Sequence, residues 1–198
     1  NNSVDQLIYS FPSSDCFSLS SSGKYLVLSD DNAIRIYDTK FRKKTIKIEV
    51  PREIKDICVN PDATEIVLSS GMHTYTLNTK TNKIIKLGDR YETKVNDIVY
   101  SPKGTFIAVS TDGGKIHLYN SQTKELLNIF TNSEESITSF SFDNEETMIA
   151  STCNNNNVNI WHLSEINVSP IQTIIKQAKM RFKHRQFTQD EIIKYHIH

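Results

Sequence analysis

The stretch SPKGTFIAVSTDGGKIHLYNSQTKELLNIF, residues 101–130, decides the fold. It reads as a strand ending at the turn SPKGT, a strand over FIAVST, a strand over KIHLYN and a fourth over KELLNIF, each short and broken by Gly, Pro, Asn or Ser where the chain must reverse. Working outward, the same reading recurs. NAIRIYDTK (32–40), MHTYTLNTK (72–80), GKIHLYNSQ (114–122) and NVNIWHLSE (157–165) align so that Tyr37, Leu77, Tyr119 and Trp161 fall in register, at steps of 40, 42 and 42 residues.

A second set keeps that spacing. CFSLSSSGKYLVLS (16–29), ICVNPDATEIVLSS (57–70), IVYSPKGTFIAVST (98–111) and FSFDNEETMIASTC (140–153) each read strand, turn, strand. A further element follows the first three copies, as KKTIKIEV (43–50), NKIIKLG (82–88) and KELLNIF (124–130). A self-similar unit of about 40 to 45 residues with four short strands is the signature of a propeller blade. The expected fold is therefore all-β, a β-propeller of four-stranded blades. The blades fall at about 16–53, 54–94, 95–135 and 136–165. Residues 1–15 form an N-terminal strand or linker, and 166–198 a separate extension.

The pattern resembles the WD-repeat β-propeller family over residues 16–165. Tyr37–Asp38 matches its hallmark dipeptide, weakened to YN at 119–120 and WH at 161–162. The resemblance implies a Gly-His pair before the first inner strand and a turn Asp. Only Asp31 supplies the Asp; Gly71, Gly113 and Asn155 stand at the other equivalents, and no Gly-His pair occurs. These are degenerate blades. Rings of this kind usually close with more than four blades, and an open stack leaves unpaired edges. Completion is expected from QLIYSF (6–11) as one further strand, from further blades, or from a second chain.

Composition bounds the function classes. Lys and Arg total 23, as do Asp and Glu, so no global field favours nucleic acid or an anionic membrane. Three widely spaced cysteines, Cys16, Cys58 and Cys153, argue against a disulfide framework or a Cys-x-x-Cys zinc site and for reduced thiols in an intracellular protein, cytoplasmic or nuclear. Motifs for a nucleophilic Ser, a phosphate loop or a helical zinc pair are absent. The expected protein is not an enzyme and uses no cofactor or metal. His117 and His162 fall in strands, and His196 with His198 sits at the chain end.

Two basic stretches are the candidate contacts. KFRKKTIKIEVPREIK (40–55) places Arg42, Lys43, Lys44 and Arg52 at the outer edge of the first blade, as a solvated edge that resists pairing or as a phosphate contact. SPIQTIIKQAKMRFKHR (169–185) reads as a helix with Ser169, Pro170 and Gln172 forming its start. Ile171, Ile174, Ile175 and Phe182 share its apolar face, and Arg181, Lys183 and Arg185 are on its basic one. Its apolar face is an assembly handle. The last two repeats also look loosely like the phosphoinositide-binding propellers called PROPPINs. The Phe-Arg-Arg-Gly motif that this likeness implies is replaced by FTNSEES (130–136), whose Glu134 and Glu135 repel phosphate, so a membrane-lipid partner is disfavoured. The expected partners are other proteins of a larger complex, with RNA, as in ribonucleoprotein or ribosome-biogenesis propellers, the alternative through the two basic stretches.

Overall fold

A computed structural model describes residues 14–30, 33–40, 43–49, 53–131 and 135–163; of residues 43–49 it describes the backbone and the Lys47 side chain. The chain divides into two compact units, residues 1–163 and 164–198. The second unit lies outside the described residues, and with it the helix expected over 169–185; QLIYSF at 6–11 is outside them as well.

Among the described residues, fifteen strands form four antiparallel sheets. The first holds β1 (Cys16–Leu19), β2 (Tyr25–Asp30), β3 (Ala33–Asp38) and β4 (Lys43–Glu49), and the second β5 (Asp56–Val59), β6 (Glu65–Ser70), β7 (His73–Asn78) and β8 (Ile84–Leu87). The third holds β9 (Val95–Tyr100), β10 (Phe106–Thr111), β11 (Lys115–Asn120) and β12 (Leu126–Thr131). The last has β13 (Ile137–Phe142), β14 (Met148–Cys153) and β15 (Val158–His162). Each sheet is a meander in chain order, and successive sheets touch through their first strands, β1 to β5, β5 to β9 and β9 to β13. This is the arrangement of propeller blades, with first strands innermost and fourth strands on the rim.

Local chemistry repeats with the blades. The turn between the first and second strands places one residue in left-handed backbone geometry: Gly23 (φ 68°), Ala63 (φ 57°), Gly104 (φ 79°) and Glu146 (φ 61°). At Gly104 a Cβ would also crowd Pro61 of the preceding blade, at 3.0 Å from its Cδ. The third strand of each blade is then tied back to this turn. The N–H groups of Thr39, Thr79, Ser121 and Leu163 donate to the carbonyls of Lys24, Thr64, Thr105 and Thr147, at 2.9, 3.0, 3.0 and 2.7 Å. In the first three blades the hydroxyl of that same residue also donates, to the carbonyls of Gly23, Ala63 and Gly104.

One position earlier, Asp38, Asn78 and Asn120 cap the turn that launches the fourth strand. Their Oδ1 atoms accept from Lys40 N–H (2.9 Å), Lys80 N–H (3.0 Å) and Gln122 N–H (2.9 Å). The Asp of the Tyr37–Asp38 pair is thus a turn-forming residue. In the last blade both devices are replaced by His162 and Leu163, and no fourth strand follows among the described residues.

The core lies between blades. Val27, Ile34 and Ile36 of the first blade pack against Ile57, Val59, Ile66, Leu68 and Leu77 of the second. Val67 and Leu87 of the second pack against Ile98, Tyr100, Ile107, Val109 and Tyr119 of the third. Phe106 stacks on Phe142 with ring centroids 6.4 Å apart, joining the third blade to the fourth. Trp161 lies 5.5 Å from the Phe130 ring and its Nε1–H donates to Ser151 Oγ at 3.0 Å. Burying each such side chain contributes about 1.5–3 kcal/mol, so both faces of the middle blades are held firmly.

Candidate functional site

The inner strands carry a polar pattern that repeats from blade to blade. The innermost strand of each blade has no further strand to pair with, so its outward N–H groups need other acceptors. The preceding blade supplies them. Ser18 Oγ accepts from Val59 N–H at 3.1 Å, and Cys58 Sγ accepts from Tyr100 N–H at 3.1 Å. Asp56 accepts from Ile57 N–H at 2.8 Å through Oδ1 and from Ile98 N–H of the next blade at 3.0 Å through Oδ2. Asp97 repeats this toward Phe140 N–H and the Ser139 hydroxyl.

These groups are perturbed by their setting. Burial pushes the Asp56 carboxyl up to about 7, aided by the negative charge of Asp97, and the N–H groups of Ile57 and Ile98 only partly offset it. Burial likewise raises Asp97 and Cys16 and pushes the Cys58 thiol up to about 11. Such thiols are poor nucleophiles. His117 is pushed down to about 4, chiefly by burial and then by the Lys115 ammonium; its ring stands edge-on to Tyr91 at 4.8 Å. Among the described residues no three His, Cys, Asp or Glu side chains converge to hold a metal ion. The inner row is an interblade latch.

Further out, the second and third blades are joined by a partly buried triad. Glu65 Oε1 accepts from the Tyr100 hydroxyl at 2.6 Å and from Lys124 Nζ, which also donates to the Ser121 carbonyl. Lys124 reaches there because it adopts φ 62° in the turn before β12.

The residues singled out from sequence separate. Lys43 and Lys44 begin β4, the rim strand of the first blade, where Lys47 is exposed. Arg42, Arg52, Ile171, Ile174, Ile175, Phe182, Arg181, Lys183 and Arg185 lie outside the described residues. A basic stretch not singled out from sequence stands on the rim of the second blade: Lys80, Lys83 and Lys86, all exposed on the β7–β8 hairpin. Lysine every third residue in KTNKIIK (80–86) was the signal for it.

The two ends of the stack differ from its middle. Phe17 and Leu19 on β1 are 71% and 56% exposed, and Val158 and Ile160 on β15 are 66% and 63% exposed. The residues in the same registers of inner blades are buried.

Repeated four-stranded sheets packed through their inner strands define a β-propeller protein. The likeness of these repeats to WD repeats reaches as far as that architecture. The family model described as "Eukaryotic translation initiation factor eIF2A" matches residues 20–172, and the chain belongs to this family. No curated protein matches the chain. Among solved structures it is similar to Kuenenia stuttgartiensis hydrazine synthase, with a TM-score of 0.65 and 13% identity. That match covers 83% of this chain and 50% of the other, so the chain spans half the length of that relative. At this identity, and with 1553 solved chains matching, the similarity speaks for the fold alone. Among the described residues no helix is long and apolar enough to cross a membrane.

Proposed function

We propose that the protein is a non-enzymatic propeller scaffold that works in translation initiation, inside the cell, by docking other proteins of an initiation assembly. The family match over residues 20–172 carries this reading. The architecture supports it: interblade latches hold the stack rigid, leaving rim strands and turns to present side chains to partners. The test is sedimentation of the tagged full-length protein through sucrose gradients of its own cell extract. Co-migration with ribosomal subunit fractions is expected; recovery only at the top of the gradient counts against the reading.

A second reading is direct RNA contact, favoured by the exposed Lys80, Lys83 and Lys86 on the rim of the second blade, with Lys47 exposed on the rim strand of the first. Replacing the three rim lysines by Glu should weaken binding to a single-stranded RNA oligonucleotide in fluorescence anisotropy. If all three touch phosphate, the slope of log affinity against log salt should flatten by about 2. An unchanged slope rules out this surface.

A further inference from the structure

The seam between the second and third blades is built differently at its rim from its neighbours. On the second blade Val67, Thr76 and Ile85 share one face by register, and Val67 packs with Leu87 on the third blade. On the third blade Val109, His117 and Ile129 share the facing side, as do Ile107, Tyr119 and Leu126. Ile85, Ile129 and Leu126 therefore line one seam from both walls. Deep in it Val67, Leu87 and Tyr119 are buried, whereas Ile85 is 44%, Ile129 42% and Leu126 36% exposed. In the second blade the position of Ile129 is taken by Lys86, opposite Tyr75, and in the third blade that of Ile85 is taken by Asn128, opposite Leu118. The seam to the fourth blade is filled further by the Phe130 and Trp161 rings, 5.5 Å apart. Among the described residues, isoleucine stands on both walls of the rim at this seam alone.

The charge around it is one-sided. Glu65 is held by Lys124 at the hairpin end of the seam, and Glu92 by Lys115 at 2.6 Å toward the other end. Lys83 and Lys86 bracket Ile85, and Lys80 precedes them on the same hairpin. All three are exposed and make no ion pair among the described residues. The rim strands β8 and β12 are the last in their sheets, so their outer edges can pair with extended chain.

We propose that this seam docks a short extended segment of another protein, one that combines aliphatic side chains with Asp or Glu. The aliphatic groups enter between Ile85 and Ile129, and the carboxylates meet Lys80, Lys83 and Lys86. Charge argues against this chain's own 176–185 stretch as the occupant, because it is basic like the seam. RNA would answer the lysines but not the isoleucines, which offer a base no aromatic platform to stack on. The proposal rests on the reading of the protein as a docking scaffold and adds the surface and the chemistry of its partner.

The test is selection of phage-displayed random peptides on the full-length protein. Enriched peptides are synthesised and titrated by fluorescence anisotropy against wild type, Ile85→Asp, Ile129→Asp, Lys83→Glu and Val158→Asp. Val158 is exposed on the fourth blade, away from this seam, and serves as the control. All four positions are exposed, and circular dichroism confirms that each variant folds. The expected peptides carry aliphatic and acidic residues together, and each of the three seam variants weakens their binding by about tenfold. Val158→Asp leaves it unchanged. No enrichment overturns the proposal, as do enriched peptides without acids or binding that survives the seam substitutions. A single-stranded RNA oligonucleotide that displaces the peptide from wild type, and loses its own binding in Ile85→Asp and Ile129→Asp, makes RNA the occupant and overturns it too. Co-migration of wild type with ribosomal subunits, measured separately, distinguishes a wrong surface from a wrong scaffold reading.

Discussion

Asp56 makes stability fall as pH rises. An aspartate outside the fold releases its proton near 3.8, whereas Asp56, buried on the inner strand beside the Asp97 carboxylate, holds it up to about 7. Because the folded state binds the proton more tightly, the contribution is fully present below about 3.8 and lost as pH climbs through 7. At about 1.4 kcal/mol per pH unit, the interval of roughly three units corresponds to about 4 kcal/mol. Asp56 keeps partial contact with solvent, which reduces the expected value to about 2 kcal/mol. The perturbation is Asp56→Asn, with urea unfolding measured between pH 4 and 8. Asn has one acceptor oxygen where the carboxylate serves both Ile57 N–H and Ile98 N–H. Below about pH 7 the neutral carboxyl likewise has a single carbonyl oxygen, so the variant starts close to wild type at pH 4 and lacks the second bond only where Asp56 is ionised. The diagnostic quantity is the difference in slope: wild type should lose about 2 kcal/mol more than the variant between the two limits. Parallel curves would refute both the burial of the carboxyl and the interblade latch built on it.

Two further substitutions probe packing and the turn clamp. Ile107→Ala, at a fully buried position between the second and third blades, should lower unfolding free energy by about 2–5 kcal/mol in denaturant titration. Thr79→Val should cost about 1–2 kcal/mol in the same assay, because it removes the hydroxyl that satisfies the Ala63 carbonyl at 2.8 Å, while the isosteric methyl keeps the volume.

The blades were legible because they repeat. Steps of about 41 residues, turn residues at Gly23 and Gly104, and alternation in KIHLYN all rest on local backbone rules that one sequence displays. The clamp was also written there, as Thr39, Thr79 and Ser121 one place after Asp38, Asn78 and Asn120, but its meaning depends on which carbonyl lies opposite. The inner latch left a trace in DICV (56–59) and DIVY (97–100), a repeated Asp whose role appears only when the next inner strand is in place. The end faces could not be read. Ile160 and Leu118 look alike in sequence, and what separates them is whether a neighbouring blade covers them. Charge density drew attention to 40–55, yet the exposed lysines among the described residues stand equally on the second blade. For the assembly handle at 171–182, the described residues offer no counterpart.

Inner strands facing one another in succession, each donating N–H groups to side chains of the blade before, make the four sheets a propeller. Amide hydrogen exchange of the native protein, read by mass spectrometry on peptides covering 56–59 and 97–100, measures this directly. The Val59, Ile98 and Tyr100 amides should exchange as slowly as those of the central strands β6 and β10. Exchange at the rate of solvent-exposed edge amides would contradict it, because those strands would then be free edges and the sheets would not be stacked as blades.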